Sequence, residues 1–182
     1  MSATFTEKAL FGGAITALIP SRFADVSNIR QVPDNQEVYL DADGFASLTF
    51  DIVEYISHLS TDREALEYHF ADIVAEEDSK EVLSVNEGMG LPHFPPSTPV
   101  LCLIAKITPS GNPHAAPLSP NHTIMHLTLI RLVQQATDIV ITLNIPAMGD
   151  APQIQNVSKS EDVISTVVTS FDVKDWNLFT GK

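Results

Sequence analysis

The stretch that decides the fold runs from Thr123 to Ile145 and reads TIMHLTLIRLVQQATDIVITLNI. Its two ends, Thr123 to Leu132 and Asp138 to Ile145, are rich in β-branched and other apolar residues, a composition typical of strands. The residues Val133 to Thr137 between them form a connection of hairpin length. The sequence therefore predicts an antiparallel hairpin at the centre of a β-sheet.

Segments of similar composition on the N-terminal side of this hairpin predict the remaining strands. They are Phe11 to Pro20, Glu37 to Leu40, Ser47 to Ile56, Val82 to Val85 and Val100 to Ile107. The last of these is the most apolar, so we expect it at the centre of the sheet beside the hairpin, with Cys102 buried. Between the strands, 88–99 and 108–121 each contain four prolines and predict loops.

Two capping signals predict helices that cover the sheet. Thr61 and Glu64 match a capping box, in which a hydroxyl and a carboxylate satisfy the end N–H groups of a helix reaching about Ala75. Ser158 and Glu161 form a second such pair before an amphipathic helix over Ser160 to Ser170. The pattern predicts an α+β fold, one antiparallel sheet covered by helices, in a single domain spanning 1–182.

Composition places the chain among globular proteins and excludes several classes. Its 182 residues are 44% apolar and 18% charged, enough for one domain with a real core. A lone cysteine, Cys102, excludes a disulfide within the chain and a thiolate-clustered metal site. No apolar run approaches the ~20 residues of a membrane helix, and Ala9 to Pro20 lacks the flanks of a signal peptide. We expect a cytosolic or nuclear protein without a membrane segment.

The net charge of −13 is concentrated in one part of the chain. Fifteen acidic residues and only two basic ones lie between Asp34 and Glu87, whereas 88–137 contains no acidic residue. This distribution argues against nucleic-acid binding, which needs clustered lysine and arginine. It predicts either a polarised surface that attracts a basic partner or a solvated face that only aids solubility.

The sequence offers no catalytic or metal-binding motif. Six histidines are present, but no pair has H-x-x-x-H spacing on a predicted helix, and we expect surface or half-buried polar residues. There is no G-x-S-x-G elbow, and the glycine-rich Leu10 to Ala14 lacks the G-K-[ST] of a phosphate loop. Carboxylates suited to acid–base chemistry are plentiful, yet none lies in a stretch that predicts an apolar pocket. We predict no enzyme, no metal and no cofactor.

One polar segment between two apolar strands remains unexplained. It runs from Asp25 to Val38 and reads DVSNIRQVPDNQEV. Asp25 has the character of an N-cap for a short helical turn from Val26 to Arg30. Four consecutive acceptor-bearing side chains, Asp34 to Glu37, exceed what a turn needs. Asp34 could be an Asx-turn residue and Glu37 an edge-strand solubiliser, or together they could form a binding surface.

With this segment and several others, the sequence closely resembles the Ran guanine-nucleotide release factor family. The resemblance extends in order from about Leu10 to Phe179, and its V-P-D-N-Q-E-V motif is highly specific in that context. It rests on LFGGA at 10–14, ADVS at 24–27, VPDNQEV at 32–38, YHFAD at 68–72, TLIRL at 128–132, TDI at 137–139 and DWNLF at 175–179. The Pro-rich region 88–121 departs from the family pattern.

The resemblance implies a fold similar to PsbP, with an antiparallel sheet and helices on both faces. It also implies a non-catalytic regulator of nuclear transport that binds the GTPase Ran, promotes nucleotide release and supports nuclear protein import. We expect a monomer located in the nucleus and cytoplasm. Asp34 and Glu37 carry over to the Ran-binding surface, with Asp25, Asn35 and Gln36 as secondary positions. We expect substitution of Asp34 or Glu37 to cost little stability.

Two other functional classes are alternatives. A structural or adaptor subunit of PsbP-like fold is disfavoured because no transit peptide is present and the P-D-N-Q-E segment would be unexplained. A small-ligand-binding protein or hydrolase that uses the 88–121 loops as a lid is disfavoured because the chain offers no nucleophile–base pair.

Overall fold

Two antiparallel sheets organise the chain. The computed structural model describes residues 4–27, 29–42, 45–111, 120–147 and 153–180, with the backbone alone at 153–159. Within these ranges the strands are β1 (Phe5–Leu10), β2 (Ile15–Pro20), β3 (Phe23–Asp25), β4 (Gln36–Asp41), β5 (Ser47–Glu54), β6 (Ser79–Glu87), β7 (Val100–Thr108), β8 (His122–Leu132), β9 (Thr137–Ala147) and β10 (Asp172–Val173). The larger sheet has the order β3-β4-β5-β9-β8-β7-β6, and the smaller has the order β1-β2-β10.

The predicted hairpin is confirmed as β8 and β9. Its register runs from Leu132 opposite Thr137 to His122 opposite Ala147, and β9 is the middle strand of the larger sheet. Strand β7 pairs with β8 as expected, but it lies next to the edge strand β6 and not at the centre of the sheet. Cys102 is half-buried and not buried as predicted. Its thiol lies 3.4 Å from the Thr128 hydroxyl, and burial raises the pKa of the Cys102 thiol.

The predicted first strand is wrong at its start. Phe11 to Gly13 form a 3₁₀ turn, because Phe11, Gly12 and Gly13 all have positive φ, which a strand does not allow. This turn joins β1 to β2, with Leu10 opposite Ile15, and β10 adds to β2. The chain therefore contains a second, small sheet that the sequence pattern did not predict.

Helices cover both faces of the larger sheet, as predicted for the α+β class. Helix α1 (Asp62–Ile73) begins with the predicted capping box of Thr61 and Glu64. Helix α2 (Gln153–Ser170) begins earlier than predicted, so Ser158 and Glu161 lie inside it and do not form its N-terminal box. No helix in the described part of the chain is long and apolar enough to span a membrane.

Each face of the larger sheet has its own apolar core. On one face, the buried side chains of α1 pack on β7, β8 and β9, with Leu66 and Leu127 fully enclosed. On the other face, α2 and the small sheet pack on β5, β8 and β9 around Phe50 and Phe171. Because strands present alternate residues to opposite faces, β8 and β9 contribute to both cores.

Candidate functional site

The polar segment of the sequence connects β3 to β4 along an edge of the larger sheet. At its start, the two oxygens of the Asp25 carboxylate accept hydrogen bonds from the Ser27 backbone N–H at 2.7 Å and the Ser27 hydroxyl at 2.8 Å. The N–H of Arg30 then donates to the carbonyl of Val26 at 3.1 Å, closing one helical turn. Asp25 therefore has the capping role that the sequence predicted.

The segment ends in a β-turn over residues 33–36. Its backbone bond runs from the Gln36 N–H to the Pro33 carbonyl at 2.9 Å. Asp34 is exposed at this turn, and its carboxylate has no hydrogen bond or ion pair with any described residue. The interpretation of Asp34 as an Asx-turn residue is therefore wrong, because the backbone closes the turn without its side chain. The carboxylate is available to a partner.

Asn35 and Gln36 are fastened to the neighbouring strand β5. The Asn35 carbonyl accepts the N–H of Ile52 at 2.9 Å, and the Asn35 amide donates to the Ile52 carbonyl at 3.1 Å. The Gln36 amide donates to the Asp51 carboxylate at 2.6 Å, and burial raises the pKa of Asp51. These two side chains hold the turn in place, while Asp34 projects from it.

Glu37 links the segment to the Phe11–Gly13 turn. Its Oε1 accepts the backbone N–H of Phe11 at 2.6 Å, and the side chain is half-buried. Phe11 has φ of +50°, a left-handed conformation that costs a non-glycine residue about 1–2 kcal/mol. A charge-assisted hydrogen bond at this N–H offsets that cost. Glu37 therefore does more than solubilise an edge, and the expectation that its loss costs little stability needs correction.

Asp25 and Glu37 lie on one face of the sheet, beside a buried phenol. Asp25 is directly opposite Tyr39 in the register, and Glu37 precedes Tyr39 by two residues, so all three share a face. Burial, reinforced by the Glu37 and Asp25 carboxylates, raises the pKa of Tyr39 to about 12. The phenol stays neutral near pH 7, and the carboxylates carry the charge of this face.

The segment thus presents hydrogen-bond acceptors. Asp34 is exposed, Asp25 and Glu37 accept backbone N–H groups, and Asn35 and Gln36 hold the turn. Over the described ranges, no three histidine, cysteine, aspartate or glutamate side chains are grouped so that they could hold a metal. A surface of this kind is suited to basic groups of a partner.

A buried ionic network, which the sequence did not predict, ties α1 to the sheet. Asp138 is fully buried, and its carboxylate accepts from Arg131 Nε at 3.1 Å, His69 Nε2 at 3.0 Å and the Ile56 N–H at 3.2 Å. Three donors of this kind satisfy a carboxylate. The charged residues Arg131 and Asp138 at the loop-proximal ends of two apolar strands were the available signal for this network.

Arg131 connects the network to the start of α1. Its Nη1 donates to Asp62 at 2.7 Å, its Nη2 donates to the Ile56 carbonyl at 2.8 Å, and its guanidinium lies 3.9 Å from the Tyr55 ring centroid. Hydrogen bonds to Asp138 and Asp62 raise the pKa of Arg131 even though burial opposes its charge. Each nitrogen of the Arg131 guanidinium and each oxygen of the Asp138 carboxylate has a hydrogen-bond partner, so the network fastens α1 to the sheet.

The histidines divide between surface and core. The expectation of surface or half-buried positions is wrong for His69, His122 and His126, which are buried. His126 Nε2 lies 2.7 Å from the Ser160 hydroxyl, and burial lowers the pKa of His126 to about 4. His58 and His93 are exposed, and His114 lies outside the described residues.

Comparisons with known proteins agree on one family. A family model described as Ran-interacting Mog1 protein matches residues 8–146, which include the whole polar segment. A Dictyostelium discoideum protein named "Probable ran guanine nucleotide release factor" is 31% identical in an alignment that covers 98% of each chain. The Saccharomyces cerevisiae "Nuclear import protein MOG1" is 29% identical, and the match covers 95% of this chain and 84% of the yeast protein.

The three-dimensional comparison gives the same result. A crystal structure of the Saccharomyces cerevisiae Ran-binding protein Mog1p superposes with a TM-score of 0.77 at 28% sequence identity. The superposition covers 98% of this chain and all of the yeast chain.

Proposed function

The chain belongs to the Ran-interacting Mog1 protein family, and from this membership we propose that it binds Ran, promotes release of guanine nucleotide and supports nuclear protein import. The observation that carries the proposal is the unpaired Asp34 carboxylate, presented on a turn beside Glu37. Asp34 and Glu37 are the main contacts with Ran in this proposal, and Asp25, Asn35 and Gln36 shape the surface.

Release requires no chemistry on the protein. A P-loop GTPase holds its nucleotide through a lysine, Mg²⁺ and backbone N–H groups. Carboxylates that bind basic groups near that site stabilise the nucleotide-poor state, and by linkage the regulator then binds the empty form more tightly. A tenfold acceleration needs only about 1.4 kcal/mol of extra stabilisation in the release transition state. The regulator is therefore non-catalytic in this proposal.

The proposal also includes a setting for this activity. We place the protein in the nucleus and cytoplasm, acting as a monomer and as one Ran-binding domain over 1–182, without nucleic acid, membrane or cofactor. In support of one domain, both apolar cores share β8 and β9.

In the alternative hypothesis of a ligand lid, the 88–99 loop would swing freely, but Leu91 and Phe94 are buried in the core.

The proposal predicts that the purified chain accelerates nucleotide loss from Ran. Ran loaded with a fluorescent guanine nucleotide is mixed with the chain and excess unlabelled nucleotide, and fluorescence decay gives the rate. We expect an acceleration of at least about tenfold at saturation, equivalent to the 1.4 kcal/mol above. Chelation of Mg²⁺ serves as the positive control for exchangeable nucleotide. A rate equal to that of Ran alone, with the control working, would contradict the proposal.

The charge of the chain predicts a salt-dependent encounter with Ran. If the field of the −13 charge steers a basic partner, the association rate falls as added ions screen it. Stopped-flow measurements between 50 and 500 mM salt should show a decrease of at least about threefold, whereas the dissociation rate changes less. If the association rate does not vary with salt, the acidic stretch from Asp34 to Glu87 serves solubility and does not steer Ran.

A further inference from the structure

The turn that Glu37 holds lines an open pocket. Residues 11–14 form one wall, Asp175, Asn177 and Leu178 form the other, and the volume is about 460 Å³. The two walls are joined by the backbone, since the N–H groups of Lys174 and Asp175 donate to the Ala14 carbonyl at 2.8 and 3.0 Å. Phe11 belongs to the lining and also donates its N–H to Glu37, so one hydrogen bond joins the pocket to the proposed Ran-binding surface.

The lining suits a polar group. Gly12 and Gly13 have φ of +66° and +92°, and no heavy atom lies within 4 Å of the position that a Cβ would take at either residue. One wall is therefore bare backbone facing open space. The other wall carries the exposed side chains of Asp175 and Asn177. Small-molecule sites are mostly apolar and enclosed, so this open polar pocket fits a partner's side chain better than a free ligand.

Charge decides which side chain fits. The Asp175 carboxylate accepts the Asn177 N–H at 3.0 Å through Oδ1, and the adjacent cation Lys174 bonds Asp172. The rest of the surface adds a net negative field. A cationic group is attracted to such a pocket, and an anionic one is repelled.

We propose that this pocket receives a lysine or arginine side chain of the GTPase and so extends the Ran-binding surface to Asp175 and Asn177. The proposal rests on the proposed function. Glu37 then acts at the boundary, since its carboxylate accepts the N–H of Phe11, a residue of the pocket lining.

Two substitutions test the pocket by equilibrium binding of full-length chain to fluorescently labelled Ran. Asp175→Asn removes the charge but keeps a capping acceptor, and we expect Kd to rise about threefold to fivefold, the scale of an exposed ion pair. Asn177→Lys places a cation in the lining, and we expect Kd to rise more than about tenfold by like-charge repulsion. Asp72→Asn is the matched control, because Asp72 is exposed on α1, on the opposite face of the larger sheet.

The outcomes separate the pocket from the proposed function. Wild-type affinity in both pocket variants, with Asp34→Asn still weakening binding, overturns the pocket and leaves the Ran-binding proposal intact. If Asn177→Lys weakens Ran binding but Asp175→Asn does not, the proposal that the occupant is a cation is overturned. A wild-type chain that does not bind Ran overturns both proposals. Thermal melting of each variant reports folding, and Asp175→Asn is expected to melt with the wild type.

Discussion

Asp138→Ala is expected to lower the free energy of unfolding by about 3–5 kcal/mol, the usual cost of leaving a buried charge without its partner. The substitution leaves Arg131, whose side chain is 2% exposed, without the acceptor at its Nε. It also removes the acceptor for His69 Nε2 and the Ile56 N–H. Urea unfolding followed by circular dichroism measures the change, with the slope of the transition reporting whether the denatured state is altered.

A matched substitution tests whether burial causes the loss. Asp72→Ala removes a carboxylate from the exposed side of α1, and we expect a change within about 0.5 kcal/mol, as at other surface sites. If the free energy of unfolding of Asp138→Ala lay within about 1 kcal/mol of the wild-type value, the network would not tie α1 to the sheet. Replacing Arg131 alone should be as costly, since Asp138 would then be the uncompensated charge.

Local signals predicted the central elements of the fold. The hairpin of β8 and β9 has uninterrupted β-type composition on both sides of a short loop, and α1 begins with a capping box that the structure reproduces. Both depend on residues close in sequence. The pairing of β5 with β9 joins distant segments, so composition alone could not assign it.

The missed elements lacked such signals. Strand β1 contains Thr6, Glu7 and Lys8 and lies at the edge of a small sheet, so it has no long apolar run. Helix α2 begins at Gln153, before its apolar face becomes regular, and an internal serine–glutamate pair resembled its start. Edge strands and helix ends depend on tertiary contacts more than on local propensity.

The site was predictable as a segment but not as a set of roles. An excess of acceptors at 34–37 and the family resemblance both pointed to it. The allocation of partners needed the fold, because Asn35 bonds Ile52 and Glu37 bonds Phe11, contacts between residues far apart in sequence. Asp25 has the role that its neighbours predicted, because the contact that caps a helical turn joins residues close in sequence.

Asp34→Asn and Glu37→Gln together are expected to weaken Ran binding by roughly 2–4 kcal/mol, the range in which truncating an interface hot spot falls. Both changes remove charge and keep an acceptor. The turn at Asp34 is closed by the Gln36 N–H and the Pro33 carbonyl, so asparagine should not alter it. Glutamine at 37 can still accept the Phe11 N–H, so the left-handed turn persists. Titration of labelled Ran and the nucleotide-release assay measure the effect.

Alanine at position 37 supplies the contrast that separates charge from architecture. Glu37→Ala removes the bond to Phe11 and should cost about 1–2 kcal/mol of stability, because a charge-assisted hydrogen bond is lost at a half-buried site. Glu37→Gln should melt at the same temperature as the wild type. If the charge matters, this variant should nevertheless accelerate nucleotide release from Ran less than the wild type does. The double variant Asp72→Asn/Glu76→Gln removes the same number of charges from exposed positions on and just beyond α1. Its affinity for Ran should differ from that of the wild type only by the effect of the lower net charge, which both double variants have in common. A folded Asp34→Asn/Glu37→Gln chain that releases nucleotide at the wild-type rate would contradict the assignment of both residues.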